Sequence, residues 1–560
     1  MFGPSWPLLT TAIAVCFTAF VGRFVRQGYI HRSRVRTLKA QGLPILPHSP
    51  ILGHLLVLAE FTKLHPPDVN IHVFHTWLSE NCQKYFPEHE QLPPVVYLDL
   101  WPMADSLAIV SNPEMISQFT VVQNLPKTSM VKHYIRPLTS AIDIFCIEGQ
   151  AWKTWRSVLN PGFSTRNLTT MVPEIIEEVL VFVDELKKVT GKNGTWGSVF
   201  QLEQKTINLT FDVICRATLD MRLHEQTSKS ASPLKAALLD QLRLMAIMTN
   251  AAKATLLGRM PWHTAAIANN NRIMKKALLP QIEARLKSNS GVTNKKTIID
   301  LAAQSFQESE LGATIPRPAF LESLTANLKM FLFAGHDTTS STICFMYKLL
   351  QDNPQALATL REEHDNILGT DLENVAEVIS ESPHLLSSLP YTLGVIKETL
   401  RLYTQAATIR HCPPNFCLTD ASTNTRYPME GFEAWLSTPE IHCSAQYWLR
   451  PEEFLPERWI AAEGDPLRPS HSNTWVPFSI GPRNCIGMEL AMIELKLVLA
   501  LTARVFDVEE AWDEWDQQRG PKATPSHAIK GQRLYQVGIS TVHPKDGMPV
   551  HVRQRKNKPV

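Results

Sequence analysis

A glycine-punctuated run, Phe478-Ser479-Ile480-Gly481-Pro482-Arg483-Asn484-Cys485-Ile486-Gly487, carries the strongest chemical signal in the chain. A helical pattern follows at once, with Leu490, Met492, Ile493, Leu495 and Leu497 among Glu489, Glu494 and Lys496. That places Cys485 at a helix amino terminus, where free backbone N–H groups and the helix dipole favour an anion. A cysteine so held is expected to have its thiolate stabilised, which suits it to bind iron. Gly481 and Gly487 permit backbone conformations and close approaches that a side chain would block. Arg483 is near enough in sequence to pair with an anionic group of a cofactor. A lone cysteine is more often a buried, inert thiol. The full F-x-x-G-x-R-x-C-x-G pattern is far more specific than that.

This loop resembles the haem-binding loop of the cytochrome P450 family. The resemblance implies Cys485 as axial ligand of the iron in haem b, with Phe478 and Arg483 beside the cofactor, and it requires further elements upstream. The first is Glu398-Thr399-Leu400-Arg401, whose charges share a helix face at i and i+3. Alone that pair is nearly worthless as a signal, but Pro451-Glu452-Glu453-Phe454-Leu455-Pro456-Glu457-Arg458-Trp459 follows. The family pattern makes Glu398, Arg401 and Arg458 a structural triad that locks the segment delivering the cysteine. The second is Ala334-Gly335-His336-Asp337-Thr338-Thr339 inside a long apolar helix, where a glycine costs about 1 kcal/mol relative to alanine. It resembles the family's oxygen-binding groove. Gly335 would leave room for dioxygen, Thr338 would hydrogen-bond it, and Asp337 would help relay protons. The third is Trp152-Lys153-Thr154-Trp155-Arg156, whose arginine is implied to meet a haem propionate through its planar fork. Arg410 is a second candidate for that contact.

These residues need a rigid frame, and the sequence pattern supplies one. Helical periodicity dominates from about 150 to 405. Leu321, Leu324, Leu328, Phe331, Leu332 and Gly335 fall on one helix face, and Asn353-Pro354 closes that helix and opens another through Leu357, Leu360 and Ile367. Strand-like pieces are short, as in Val95-Val96-Tyr97-Leu98 and Leu107-Ala108-Ile109-Val110. The expected architecture is mainly α with small β-sheets (α+β), a cytochrome P450 fold preceded by one transmembrane helix. The expected parts are an anchor over 1–22, a basic stop and proline-rich elbow over 23–59, a single catalytic domain over 60–552 and a basic tail over 553–560.

The chain has 560 residues, 44% of them hydrophobic, ample for a large core. Net charge is only +2, which implies no nucleic-acid partner. Nine sparse cysteines read as a reducing compartment rather than a disulfide framework. His411, Cys412 and Cys417 are too poorly spaced for zinc. Residues 1–22 hold no charged side chain, then Arg23, Arg26, Arg32, Arg34, Arg36 and Lys39 arrive before the first acidic residue, Glu60. Positive charge after an apolar run of about 20 residues marks a signal anchor with the body in the cytosol. A cleaved signal would carry its basic residues before the run. The three N-x-S/T sequons, at Asn167, Asn193 and Asn208, then read as chance.

The resemblance further implies insertion of one oxygen atom from dioxygen into a lipophilic small molecule. The style of the chain is that of fungal secondary metabolism, with a terpenoid or polyketide scaffold as substrate. Electrons would come from NADPH through a separate cytochrome reductase docked on basic groups such as Lys153, Arg483 and Lys496. Substrate contacts are expected from Phe331, Leu332 and Phe333, from 105–145, from 215–260 and from 528–538. The expected location is the endoplasmic reticulum membrane, spanned once, with the catalytic domain facing the cytosol. Two rivals differ in class: a haem-thiolate isomerase or dehydratase that uses no external electrons, and a non-catalytic membrane-tethered haem protein. Intact Asp337 and Thr338 argue against the first, and the intact loop, groove and triad against the second.

Overall fold

The computed structural model describes residues 6–247, 256–258, 260–287, 296–308, 315–520, 527–538 and 541–555. Parts of the expected anchor (1–5), of the 215–260 segment and of the basic tail (556–560) lie outside them. The chain gathers into two compact units built from interleaved segments.

The first unit holds residues 1–67, 74–128 and 408–437. Its four-stranded sheet runs in the order Val95–Leu98, Leu107–Val110, Glu433–Leu436, Thr408–His411. The outer pairs are antiparallel and the central pair parallel. Both expected strands form, and all four residues of each are buried, as their β-branched and aromatic composition favours. A helix spans Trp6–Ala40. In its second half Val35 and Leu38 are buried, and so is Arg32, whereas Arg23, Arg26, Arg36 and Lys39 are exposed. Arg32 pairs with Asp99 at 2.5 Å and donates to the Ile51 and Trp101 carbonyls. A cation can be buried there because a carboxylate and two carbonyls receive it. Among the described residues no helix is long and apolar enough to cross a membrane.

The second unit is mainly helical and holds residues 68–73, 129–407 and 438–560. Its spine is the 36-residue helix Arg317–Asp352. The expected single apolar face understates this helix, because from Leu324 to Leu350 it is buried nearly all round. Such a helix must satisfy its own hydroxyls. Ser340 donates to the Asp337 carbonyl and Thr342 to that of Thr338, at 2.9 and 2.8 Å. Pro354 opens the next helix, Pro354–Leu368, as expected. Helices Gly149–Leu159, Leu202–Leu219, Pro390–Leu402 and Met488–Thr502 complete the frame around the site. A three-stranded sheet, in the order Phe200–Gln201, Pro549–Gln554, Phe506–Glu510, and a short ladder of Gln536–Val537 with His543–Pro544 are its β-structure.

Candidate functional site

Cys485 lies just ahead of helix Met488–Thr502, whose N-cap is Gly487. Its N–H donates to the Phe478 carbonyl at 2.9 Å, and that of Asn484 to Gly481 at 3.1 Å. Gly481 makes the turn with a φ of 82°, a conformation glycine adopts without strain. The sulfur is accessible. The expected thiolate stabilisation is only half of the balance. Burial in the protein pushes the thiol pKa up, and the N–H groups of Gly487 and Met488 with the Arg156 charge pull it down without winning. A helix terminus alone does not hold a thiolate here, whereas a bound cation would complete the balance.

Arginines surround this loop. Arg156, on helix Gly149–Leu159, donates to the Asn484 carbonyl and to Asn484 Oδ1 at 3.0 and 2.9 Å. It clamps the residue before the cysteine. Arg483 lies over the Trp152 ring at 4.6 Å, donates to the Ile147 carbonyl and pairs with Glu148. Its buried Nε and Nη1 have no hydrogen-bond partner among the described residues. Unmet buried donors on a cation fit an anionic group such as a haem propionate. Arg410 is fully buried on strand Thr408–His411 of the first unit, bridged to Lys127.

The triad residues come together. Glu398 Oε1 accepts from Arg401 Nη2 at 2.7 Å and from Arg458 Nε at 2.9 Å, all fully buried. Its Oε2 accepts from Arg401 Nε and from Trp459 Nε1, each at 3.0 Å. The remaining guanidinium N–H groups reach the carbonyls of His442, Pro451, Glu453, Leu449, Leu467 and Arg450. Sequence reasoning missed His442. Its Nδ1–H donates to the Arg401 carbonyl at 3.0 Å, and its Nε2 accepts from Val476 N–H at 2.9 Å. It therefore ties the triad to the strand of chain that enters the cysteine loop. Burial and the nearby Arg401 charge push its pKa down to about 3.

On the long helix, Ala334 is exposed and Gly335 and Thr338 are partly exposed, within the stretch from Leu324 to Leu350 that is otherwise buried. Ala334 and Thr338 stand four apart and so share a face. Phe331, Leu332 and Phe333, expected to line the substrate space, are buried in the core, and Phe331 packs edge-on against Phe163. Three consecutive helical residues cannot share a face, and Ala334 and Thr338 are among the more exposed positions of this stretch. Gly335 is closely packed on one side. A Cβ there would lie 2.8 Å from Ile214 Cδ1, so its small size admits helix Leu202–Leu219. Asp337 is buried and accepts from the Thr541 hydroxyl. Of the basic groups assigned to reductase docking, Lys153 is exposed. Arg483 is enclosed as above, and Lys496 donates to the Leu386 carbonyl at 2.7 Å.

A helical frame with small sheets, an accessible cysteine on a loop at a helix terminus and an arginine with unmet donors beside it define a haem-thiolate protein. The chain belongs to the cytochrome P450 family, whose sequence model matches residues 64–533. It is an oxidoreductase of the monooxygenase class, and its cofactor is haem b held through a cysteine thiolate. It is 34% identical to cytochrome P450 monooxygenase polC of Polytolypa hystricis, over 98% of this chain and 96% of that one. It is 30% identical to cytochrome P450 monooxygenase acrF of Aspergillus aculeatus, over 81% and 93%. The crystal structure of the cytochrome P450DA haem domain shares the fold, with a TM-score of 0.67 at 20% identity, covering 92% of this chain and 98% of that one.

Proposed function

We propose that Cys485 is the axial ligand of the haem and that the enzyme oxygenates a lipophilic small molecule, a terpenoid or polyketide scaffold. The observation that carries the ligand assignment is the exposed Cys485 on its helix-terminus loop, beside Arg483 donors that meet no partner among the described residues. Bound haem supplies dioxygen activation with electrons taken from NADPH through a separate cytochrome reductase. Arg483 would hold a propionate, with Arg156 bracing the loop. On the long helix Thr338 would offer its hydroxyl to dioxygen, and Asp337 would hold a proton for it. The apolar core around this helix excludes water and favours an apolar substrate.

The carbon monoxide difference spectrum of reduced microsomes tests the assignment, comparing wild type with Cys485→Ser. A strongly red-shifted Soret band in wild type, lost in the variant, is the expected result. A band at the histidine-ligated position would sink it. Product profiling in a host expressing the neighbouring biosynthetic enzymes tests the substrate class, and turnover of fatty acids or sterols alone would overturn that part.

The amino-terminal helix supports membrane attachment. Ile13, Val15, Phe17 and Phe20 are exposed, and Arg23 and Arg26 follow. Such a surface fits a single-pass anchor in the endoplasmic reticulum with the body on the cytosolic side. Release of the full chain by alkaline carbonate would contradict integral insertion.

A further inference from the structure

The oxygen-groove reading gives Asp337 a proton but not a source for it. Asp337 Oδ2 accepts from the Thr541 hydroxyl. His543 Nε2 stands 3.6 Å from the same oxygen and 3.5 Å from Thr541 Oγ1. On its other side His543 Nδ1 donates to Glu203 Oε1 at 2.7 Å. Glu203 lies in the first turn of helix Leu202–Leu219, which packs on the long helix that carries Asp337. One imidazole is thus bracketed by two carboxylates from two packed helices. Access falls along the path: the His543 side chain is 30% exposed, that of Asp337 7%.

We propose that His543, held by Glu203, is a positioning residue that relays protons from solvent to Asp337 and so to the oxygen-binding groove. This rests on the reading of Asp337 and Thr338 above. The step moves a proton and no electrons. The Nε2–H bond of the imidazolium breaks and an O–H bond forms on Asp337, directly or through the Thr541 hydroxyl. Water at the exposed edge of the ring then restores the proton. Burial works against a charged His543, but the Glu203 hydrogen bond and the Asp337 charge outweigh it and raise its pKa to about 9. The ring is therefore charged at neutral pH and empties as pH rises through about 9. His336, the adjoining imidazole, is fully buried with its pKa lowered by burial, and its Nδ1 donates to the Leu332 carbonyl. It stays neutral and does not compete.

The test uses full-length holoenzyme, with [2-13C]histidine labelling of the ferrous carbon monoxide form. The signal lost in His543→Gln identifies the residue. It is expected to titrate near 9 in wild type and to fall toward the ordinary value of about 6.5 in Glu203→Gln. In parallel, NADPH oxidation is followed against pH with excess reductase and dioxygen as the sole acceptor. Wild type should lose rate as pH rises through about 9. His543→Gln should lack that limb and run about tenfold slower at neutral pH, a modest share of general acid catalysis. A normal His543 titration, or a His543→Gln variant with the wild-type rate and limb, overturns the relay. The carbon monoxide band is read in every sample. Its absence in wild type faults the haem assignment, whereas its presence with unchanged pH profiles faults the relay alone. If His543→Gln loses the band by misfolding, the Glu203→Gln titration still decides.

Discussion

Two groups of buried arginines in the second unit make opposite use of the same side chain. Arg401 and Arg458 are fully buried, and their guanidinium groups are met by Glu398 and by six backbone carbonyls. Arg483 is nearly as enclosed, yet two of its nitrogens have no hydrogen-bond partner among the described residues. A buried cation with complete pairing holds a shape, because any loosening leaves charge uncompensated. A buried cation with incomplete pairing is poised for something that arrives later. The difference separates the part of the site that is architecture from the part that receives the cofactor.

The largest effect should come from breaking the closed group. Glu398→Ala leaves Arg401 and Arg458 without their carboxylate, at a cost of about 3–5 kcal/mol. That is a large share of a typical total stability of about 5–15 kcal/mol. Soluble yield should collapse, and any folded protein should melt many degrees lower in thermal scans of the carbon monoxide form. An unchanged melting temperature would mean the triad is not structural. The open group should respond in the opposite sense. Arg483→Met keeps an unbranched side chain over Trp152 and removes two unmet donors together with one ion pair to the partly exposed Glu148, so the melting temperature of the haem-free chain should change little. Haem should bind about ten- to hundredfold more weakly, the worth of about 1.5–3 kcal/mol of charged hydrogen bonding. Transfer of haem to an excess of apomyoglobin measures it, and wild-type retention would sharply weaken the propionate assignment.

This contrast also explains what was legible beforehand. Glu398 and Arg401 share one helix turn, and Arg458 follows in a short proline-bounded run, so local spacing reveals them. The cysteine loop is likewise contiguous, and the helices around it follow their apolar period. His442, Glu203 and His543 left no such trace. His442 finds its partners 34 and 41 residues away, and Glu203 and His543 lie 340 residues apart, and a lone histidine has no period to stand out against. A helix buried on nearly all sides carries no amphipathic signal, so the sequence pattern does not single out Ala334 and Thr338 as its more exposed positions. The burial of Arg32 is likewise invisible in the local pattern, because its partner Asp99 is remote in sequence.

Gly335 sharpens the comparison at intermediate size. If the glycine serves helix packing, Gly335→Ala forces its methyl against Ile214 and costs about 1–3 kcal/mol of overpacking. The gain in helix propensity, up to about 1 kcal/mol, offsets part of that. The carbon monoxide band should keep its position and intensity. A variant that melts like wild type but binds carbon monoxide or dioxygen more weakly would restore the glycine to the oxygen groove.

The smallest effect concerns the residue that joins the two groups. His442 bonds the Arg401 carbonyl through Nδ1 and the Val476 N–H through Nε2, so it must be neutral to accept that second bond. Its pKa is lowered to about 3 when folded, against an ordinary value of about 6.5. The unfolded chain therefore binds a proton first as pH falls, and the contribution of His442 to stability is complete above about 6.5 and is lost progressively toward 3. His364, also held near 3 by burial, titrates in the same direction, so the acid slope is shared. The distinguishing reading is local. Replacing His442 by Asn keeps one donor and one acceptor without a titrating ring, and should flatten part of the slope of melting temperature against pH between 6.5 and 4. Haem loss in that window should slow as well, because the cysteine loop no longer loses its tie at Val476. If the slope flattens and haem loss does not change, His442 stabilises the triad without transmitting anything to the loop, and the closed and open groups are independent.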